Sequence, residues 1–212
     1  LLEKEIRYLG NAIHNPQRPF MVILGGAKVS DKIAVIENLL PKADAILIGG
    51  GMSYTFLKAQ GKPIGNSKLE KDKIDLAKGI LDKAEAFKKE ILLPIDHLVV
   101  DSIAPNAKID IVGENIPEGK LAVDIGPKTI ALFKEKLKSA QTIVWNGPLG
   151  IFEMQPFSKG TEEVAKFISD LKATTIIGGG DTAAAVAKFK LEDRMSHIST
   201  GGGASLEFLE GK

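Results

Sequence analysis

The chain has 212 residues, a formal net charge of +1, and 44% hydrophobic and 26% charged residues, a composition that is ordinary for a globular protein in water. The balanced charge predicts no general attraction to nucleic acid or acidic membranes, and no apolar run approaches the length of a membrane span. The absence of cysteine excludes a disulfide framework, a thiol nucleophile and a thiolate metal site.

The predicted elements alternate between helices and strands along the chain. In chain order the patterns predict helix 2–13, strand 20–24, helix 30–40, strand 45–48, a helix after 51, a long helix opened by the Ser67-x-x-Glu70 capping-box spacing, strands 91–93 and 97–100, a polar excursion over 104–119, strand 121–124, helix 128–137, strand 142–145, helix 161–171, strand 174–177, helix 182–188, a short strand around 198 and a helix over 204–209. This alternation predicts a doubly wound, three-layer α/β fold of the Rossmann-like kind, with a mainly parallel sheet and helices on both faces. One domain over residues 1–212 is the simplest prediction at this length.

Glycines are concentrated where predicted strands end. Eleven of the 22 glycines form four clusters, at 25–26, 49–51, 178–180 and 201–203, each after a strand-like run and before a predicted helix. A strand, then glycines, then a helix start lets main-chain N–H groups approach an anion without interference from Cβ. Because the carboxyl ends of parallel strands share one edge of a sheet, the four clusters together predict a site for a ligand with several phosphates.

Two lysines follow the first glycine cluster. Lys28 and Lys32 are four residues apart, so a helix would place both ammonium groups on one face, where they would contact two phosphates. The alternative is an ordinary solvated helix face, which is the commoner fate of such a pair. Their position directly after Gly26 favours phosphate contact.

Three polar residues follow other predicted strands. Asp181 comes directly after the third glycine cluster, where it would cap the next helix, with help from Thr182, or hold Mg²⁺ together with phosphate oxygens. Asn146 ends a strand, where its amide would meet a phosphate or a hydroxyl, although Asn-Gly-Pro is also ordinary turn chemistry. Glu153 would accept hydrogen bonds from ribose hydroxyls or stand as a surface acid.

Familiar phosphate-binding fingerprints are absent from the sequence. There is no G-x-x-x-x-G-K-[ST] motif, which excludes a P-loop enzyme. The second cluster begins like G-x-G-x-x-G, but Tyr54 stands where the third glycine is needed, which disfavours a dinucleotide dehydrogenase. The three histidines share no metal-ligand spacing and are assigned no chemistry.

Six ordered stretches resemble the phosphoglycerate kinase family, specifically its C-terminal, nucleotide-binding half. They are GGAKVSDK (25–32), IGGGMSYTF (48–56), DIGP (124–127), WNGPLGIFE (145–153), GGGDT (178–182) and SHISTGGGAS (196–205). Residues 1–14 resemble the helix that joins the two domains of that family. The resemblance implies a glycolytic kinase that transfers a phosphoryl group between 1,3-bisphosphoglycerate and Mg-ADP, giving 3-phosphoglycerate and Mg-ATP.

The resemblance also implies residue roles. It implies a catalytic role for Lys28, Gly180 and Gly202, and a Mg²⁺ ligand in Asp181. The nucleotide-binding residues that it implies are Gly26, Ala27, Lys28, Lys32, Gly50, Gly51, Ala122, Val123, Asn146, Ile151, Glu153, Gly179, Gly180, Asp181, Thr182, Gly201, Gly202 and Gly203. Positions 120–123 depart from the usual family residues, and Ala122 and Val123 would line the adenine side of the pocket.

The sequence is compatible with two classes of function. The first is half of an enzyme, which binds ADP or ATP but turns over only when an N-terminal phosphoglycerate-binding domain closes on it; we then expect the isolated piece to be inactive. The second is a stand-alone adenine-nucleotide-binding module without catalysis. The resemblance implies Mg²⁺ as cofactor and a cytoplasmic monomer that binds neither nucleic acid nor membranes.

Overall fold

A parallel sheet of apolar strands forms the centre of the molecule. The computed structural model describes residues 2–199 and 208–211. The strands of the described chain are β1 (Phe20–Leu24), β2 (Ala45–Ile48), β3 (Glu90–Leu92), β4 (His97–Val100), β5 (Asp110–Val112), β6 (Leu121–Ile125), β7 (Thr142–Asn146), β8 (Thr174–Gly178) and β9 (His197–Ser199). Six of them pair in parallel in the order β3-β2-β1-β7-β8-β9. Strands β1, β2 and β7 are buried at every residue, as expected for parallel strands that are covered on both faces.

Helices cover both faces of this sheet. The α-helices of the described chain are α1 (Leu2–His14), α2 (Ile33–Leu39), α3 (Met52–Ala59), α4 (Ile74–Ala86), α5 (Pro127–Leu137), α6 (Lys159–Ser169) and α7 (Gly180–Lys188). Alternate residues of β1 point to opposite faces, so Val22 packs with α1 to α4 in one core while Ile23 packs with α5 to α7 in the other. The predicted doubly wound, three-layer fold is therefore confirmed. Within the described residues no helix has both the length and the apolar character that crossing a bilayer requires.

A second, smaller sheet is present in addition to the mainly parallel sheet that the sequence predicts. Strand β4 lies between β5 and β6 and pairs antiparallel with both. An apolar run identifies a strand but not the direction of its neighbour, so the sequence did not distinguish β4 and β6 from the strands of the parallel sheet. Strand β5 lies inside the predicted polar excursion over 104–119; it has three residues, and Ile111 at its centre is 61% exposed, which left little periodicity to detect.

The predicted capping box does not form. Helix α4 begins at Ile74, after a short 3₁₀ turn over Lys71–Lys73, and no side chain caps it. The hydroxyl of Ser67 instead accepts the N–H of Ala122 at 2.9 Å, and the carboxylate of Glu70 accepts hydrogen bonds from Ser30. Ser67 and Glu70 therefore make hydrogen bonds with residues that are remote in the sequence and not with the start of α4.

The predicted helix over 30–40 is also divided. A 3₁₀ turn over Val29–Asp31 precedes α2, and Lys32 stands between the two. The expectation that Lys28 and Lys32 share one α-helical face was therefore wrong, because 3₁₀ geometry places residues differently around the axis. The predicted helix over 204–209 lies mostly outside the described residues.

Candidate functional site

The sheet reverses its strand order between β1 and β7. The chain runs from β1 outward to β2 and β3 on one side, and from β7 outward to β8 and β9 on the other. Ligands of open α/β sheets bind at such a switch point, outside the carboxyl ends of the strands. The first three glycine clusters follow β1, β2 and β8, so they lie at one edge of the sheet, as predicted. The fourth cluster, at 201–203, lies outside the described residues.

At the switch point the loops after β1 and β7 touch through glycines. A Cβ atom on Gly25 would lie 2.0 Å from the carbonyl oxygen of Pro148, and one on Gly147 would lie 2.1 Å from that of Gly25. The N–H of Gly26 donates to Pro148 O at 2.9 Å, and that of Gly50 donates to Leu149 O at 3.1 Å. The expectation that these clusters offer their amides to an anion is therefore wrong for Gly25, Gly26 and Gly50, because main-chain carbonyls already occupy those amides. These glycines let the loops approach one another.

The third cluster differs because it opens helix α7. Gly179 is the N-cap residue with a φ of +96°, a conformation that glycine adopts without strain, and its N-cap position has no side-chain hydrogen bond from the described part of the chain. A Cβ on Gly180 would meet no atom of residues 2–199 and 208–211 within 4 Å, so these residues leave open space beside the first turn. The first amides of a helix have no partner inside the helix and carry the positive end of its dipole, so this end of α7 favours an anion.

Asp181 and Thr182 do not cap α7, and that interpretation was wrong. The hydroxyl of Thr182 is buried and accepts the N–H of Gly147 at 2.6 Å, which ties α7 to the loop after β7. Asp181 is exposed in the first turn of α7. Its carboxylate is in no ion pair within the described part of the chain, so it is available to a ligand.

The two lysines have different environments. Lys28 is exposed, whereas the ammonium group of Lys32 is half-buried and donates to the side-chain oxygen of Asn146. Burial lowers the pKa of Lys32 below its usual value, and the charges of Asp31 and Asp181 oppose that shift. The side-chain amide of Asn146 donates to Gly178 O at 2.8 Å. Asn146 therefore orients Lys32 and joins the ends of β7 and β8.

Two adjoining cavities lie along this edge of the sheet. The apolar cavity, of about 310 Å³, lies between the loop after β7 and the start of β6, and Tyr54 of α3 contributes to its wall. The polar cavity, of about 580 Å³, lies between the two lysines and the first turn of α7. Both are lined by Gly26, Ala27, Pro148 and Asp181, so a single elongated ligand would occupy both.

Every predicted site residue within the described chain lines at least one of the two cavities. The apolar cavity contains Gly26, Ala27, Gly50, Gly51, Ala122, Val123, Ile151, Glu153 and Asp181. The polar cavity contains Gly26, Ala27, Lys28, Lys32, Asn146, Gly179, Gly180, Asp181 and Thr182. Gly201, Gly202 and Gly203 lie outside the described residues.

Other lining residues were missed. Tyr54 was placed in a family stretch and at the break of a dinucleotide fingerprint but was given no role, and Lys68 lies unremarked between Ser67 and Glu70, yet both line the apolar cavity. Their roles depend on the packing of α3 and of the segment before α4, which no local spacing encodes. Ile103, just before the predicted polar excursion, lines the same cavity.

A buried acid lies behind the apolar cavity. The carboxylate of Asp124 accepts the N–H of Gly160 at 2.8 Å and that of Ile125 at 2.9 Å. Desolvation raises the pKa of Asp124 to about 8, although these hydrogen bonds act in the opposite direction. Burial raises the pKa of the nearby Tyr54 above its usual value, and the charge of Asp124 adds to that shift. The sequence flagged Asp124 only as part of a family motif.

A metal at this edge would depend on few protein ligands. Within residues 2–199 and 208–211, no group of three or more His, Asp or Glu side chains comes together in a metal-binding arrangement. Mg²⁺ prefers oxygen ligands and commonly uses one or two carboxylates together with phosphate oxygens and water. The exposed carboxylate of Asp181, which lines both cavities, fits that donor set.

Comparisons with known proteins agree with this arrangement. The family model described as phosphoglycerate kinase matches residues 1–212. The chain is 59% identical to the phosphoglycerate kinase of Clostridium tetani and 58% identical to that of Lactobacillus delbrueckii subsp. lactis; both alignments cover all of this chain but only 53% and 52% of those proteins. The chain therefore spans about half the length of the curated relatives that it matches.

Solved structures show the same relation. The phosphoglycerate kinase of Coxiella burnetii superposes on the whole chain with a TM-score of 0.98 at 45% identity, and the chain covers 56% of it. The enzyme of Pyrococcus horikoshii superposes with a TM-score of 0.85 at 34% identity, with 54% of it covered. With a matching family model, close relatives and a shared fold, this chain belongs to the phosphoglycerate kinase family.

Proposed function

We propose that the chain is the nucleotide-binding half of a phosphoglycerate kinase. The observation that carries this proposal is the pair of adjoining cavities at the switch point, one mainly apolar and the other lined by two lysines and the first turn of α7. An adenine nucleotide has the same division into a flat apolar base and a chain of phosphates. The shared residues Gly26, Ala27, Pro148 and Asp181 would lie beside the sugar and the first phosphates.

The apolar cavity suits adenine and ribose. Ala122, Val123 and Ile151 offer aliphatic surface to a planar base, and removing that surface from water favours binding. Glu153 is exposed at the same cavity, where its carboxylate would accept hydrogen bonds from the ribose hydroxyls. The N–H of Ile151 donates to Val123 O at 3.0 Å, which ties the two walls together on the base side.

The polar cavity suits the phosphates. Lys32 would neutralise phosphate charge from the position in which Asn146 holds it, and the amides at the start of α7 would donate to phosphate oxygens. Mg²⁺, held by Asp181 and the phosphates, would supply charge neutralisation between the phosphate groups. Lys28 is exposed and lines the same cavity, where its ammonium group would stabilise the phosphoryl group during transfer.

The reaction proposed for the intact enzyme is phosphoryl transfer. A terminal oxygen of ADP attacks the acyl phosphate of 1,3-bisphosphoglycerate, the bond between phosphorus and the acyl oxygen breaks, and 3-phosphoglycerate leaves as a carboxylate. Such a transfer needs little covalent chemistry from the protein, because its barrier is lowered mainly by alignment and by fixed positive groups around the phosphoryl oxygens. The lysines and the start of α7 would provide those groups, and the phosphoglycerate would be bound by a second domain.

Calorimetric titration of the chain with Mg-ADP tests the binding step. We expect saturable binding to a single site, and the Asp181→Ala variant should lose more affinity for Mg-ADP than for ADP in the presence of a chelator. An equal loss under both conditions would remove the metal role of Asp181. The absence of any heat at millimolar Mg-ADP would contradict the proposal.

An activity assay separates the half-enzyme from a stand-alone binding module. We expect the chain alone to give no turnover with ADP and 1,3-bisphosphoglycerate, and turnover to appear when it is joined to the N-terminal half of the Clostridium tetani relative. The Lys28→Ala variant of that fusion should lose most of its kcat. A fusion that binds both substrates but never turns over would favour the binding module.

A further inference from the structure

The segment 67–70 crosses the site from one wall to the other. Its first residue, Ser67, accepts the N–H of Ala122 in β6, which is a wall of the apolar cavity. Its last residue, Glu70, accepts hydrogen bonds from the N–H of Ser30 at 3.1 Å and from its hydroxyl at 2.7 Å. Ser30 lies two residues after Lys28 and lines the polar cavity.

Glu70 supplies what the turn after Lys28 lacks. The 3₁₀ turn Val29–Asp31 has no cap from its own N-cap residue, Lys28. The first amides of such a turn need acceptors, and a carboxylate is a strong one. Although desolvation acts to raise it, the pKa of Glu70 lies below its usual value, because hydrogen bonds from Ser30 and Val29 and the charge of Lys28 favour the carboxylate.

A third contact, also made by Glu70, fixes the same end of the segment to helix α3. The N–H of Glu70 donates to the hydroxyl of Thr55 at 3.3 Å, and Thr55 is buried in α3, the helix that begins at the second glycine cluster. Between the ends, Lys68 lines the apolar cavity. The contacts span 40 residues to Ser30 and 55 residues to Ala122, so they join elements that are distant in the sequence.

We propose that segment 67–70 is a strap that holds the loop carrying Lys28 at a fixed distance from the β6 wall, and that Ser67 and Glu70 are positioning residues for nucleotide binding. The strap acts through Lys28 and through Ala122 and does not need to touch the nucleotide. The predicted effect of the strap on nucleotide affinity rests on the proposed function. Its predicted effect on the two walls in the absence of nucleotide does not depend on that function.

Amide hydrogen exchange without nucleotide tests the strap itself. Loss of the contact at either end should loosen both walls. Glu70→Ala should raise amide exchange about threefold or more at Ala122 as well as at Ser30, and Ser67→Ala should raise it at Ser30 as well as at Ala122. Glu163→Ala is the matched control, because the carboxylate of Glu163 in α6 accepts a hydrogen bond from Lys134 Nζ of α5 at 3.0 Å, away from the strap. If each variant loosened only its own contact, or if the control gave the same pattern, the strap would be refuted.

Nucleotide affinity then tests the positioning role. Loss of the Glu70 contacts in Glu70→Ala should weaken the affinity for Mg-ADP by roughly three- to tenfold, since each hydrogen bond contributes modestly to stability. Adenosine, which has no phosphate to reach Lys28, should be affected less. Glu70→Gln keeps an acceptor for Ser30 N–H and a donor for its hydroxyl, so it should restore affinity to within about twofold.

The outcomes are distinguishable. If Glu70→Gln weakened the affinity for Mg-ADP as much as Glu70→Ala, the charge of Glu70 would matter and its hydrogen bonds to Ser30 would not, which contradicts the positioning role. Wild-type affinity in Glu70→Ala would also contradict it. If the wild-type chain bound no nucleotide, the proposed function would fail, while the exchange measurements would still decide whether the strap exists.

Discussion

Replacing Asp124 with asparagine should change how the stability of the protein depends on pH. Asp124 is 1% exposed, and its two oxygens accept main-chain N–H groups from Gly160 and Ile125. Its pKa rises from 3.8 to about 8 on folding, because burial disfavours the charged form. The side chain therefore carries a proton in the folded protein at neutral pH, and asparagine is close in shape and charge to that protonated acid.

The magnitude follows from proton linkage. Between pH 3.8 and about pH 8 the folded protein keeps a proton on Asp124 that the unfolded chain has released. The stability that this group contributes is therefore fully present below pH 3.8 and is lost as the pH rises towards 8, at up to about 1.4 kcal/mol per pH unit. The Asp124→Asn variant has no such proton to lose.

His97 acts in the opposite direction over a lower pH range. Its imidazole is buried, its ring nitrogens have no hydrogen-bond partner among the residues that the structure describes, and desolvation lowers its pKa from 6.5 to about 4. Its contribution to stability is present above pH 6.5 and is lost as the pH falls towards 4. The two groups oppose each other between about pH 4 and pH 6.5, so the effect of Asp124 is clearest above pH 6.5.

Urea unfolding at a series of pH values provides the assay. From pH 6.5 to pH 7.5 the wild-type chain should lose roughly 1 kcal/mol relative to Asp124→Asn, whatever the absolute stability of the variant. Asp170→Asn is the control, because Asp170 is exposed and pairs with Arg194 at the surface. The reasoning is refuted if Asp124→Asn shifts stability by the same amount at every pH.

Two further substitutions test local packing and capping. Gly147→Ala would place a Cβ 2.1 Å from Gly25 O at a φ of +101°, so it should lower the free energy of unfolding by more than about 3 kcal/mol. Gly61→Ala has a similar φ of +83° but a Cβ there would meet no described atom within 4 Å, so it should lower that free energy by about 1 kcal/mol. Equal losses of stability in urea unfolding would contradict the close approach of the two loops. Asp96→Ala removes an acceptor of hydrogen bonds from Lys128 N and Thr129 N, both at 2.8 Å, so it should cost about 2 kcal/mol and raise amide exchange in the first turn of α5; unchanged exchange there would show that Asp96 does not cap this helix.

The sequence was sufficient where a local pattern decided the outcome. Strands β1 and β2 match their predicted bounds residue for residue, because a short run of apolar residues ended by polar or glycine residues has few alternatives. The edge of the sheet at which the two cavities lie was also predictable, since glycines that follow parallel strands lie at one edge of the sheet. The resemblance to a known family supplied individual residues within that edge.

The sequence was insufficient where the partner of a group is remote along the chain. Ser67 and Glu70 have the spacing of a capping box, yet Ala122 and Ser30 take their hydrogen bonds. The sequence predicts that the main-chain N–H of Gly26 is available to an anion, yet it donates to Pro148 O because β1 and β7 lie side by side. Such competition is decided by tertiary packing, which no local spacing contains.

If the two cavities form one nucleotide site at the switch point of the sheet, a single nucleotide must perturb both of them. The change in backbone amide NMR shifts on addition of Mg-ADP to the chain measures this. We expect the largest changes at Ala122 and Val123 on one side and at Gly180 and Asp181 on the other, saturating together at one affinity. Changes confined to one of these sides, or centred on the separate surface pocket at Lys58 and Gly65, would contradict a single site.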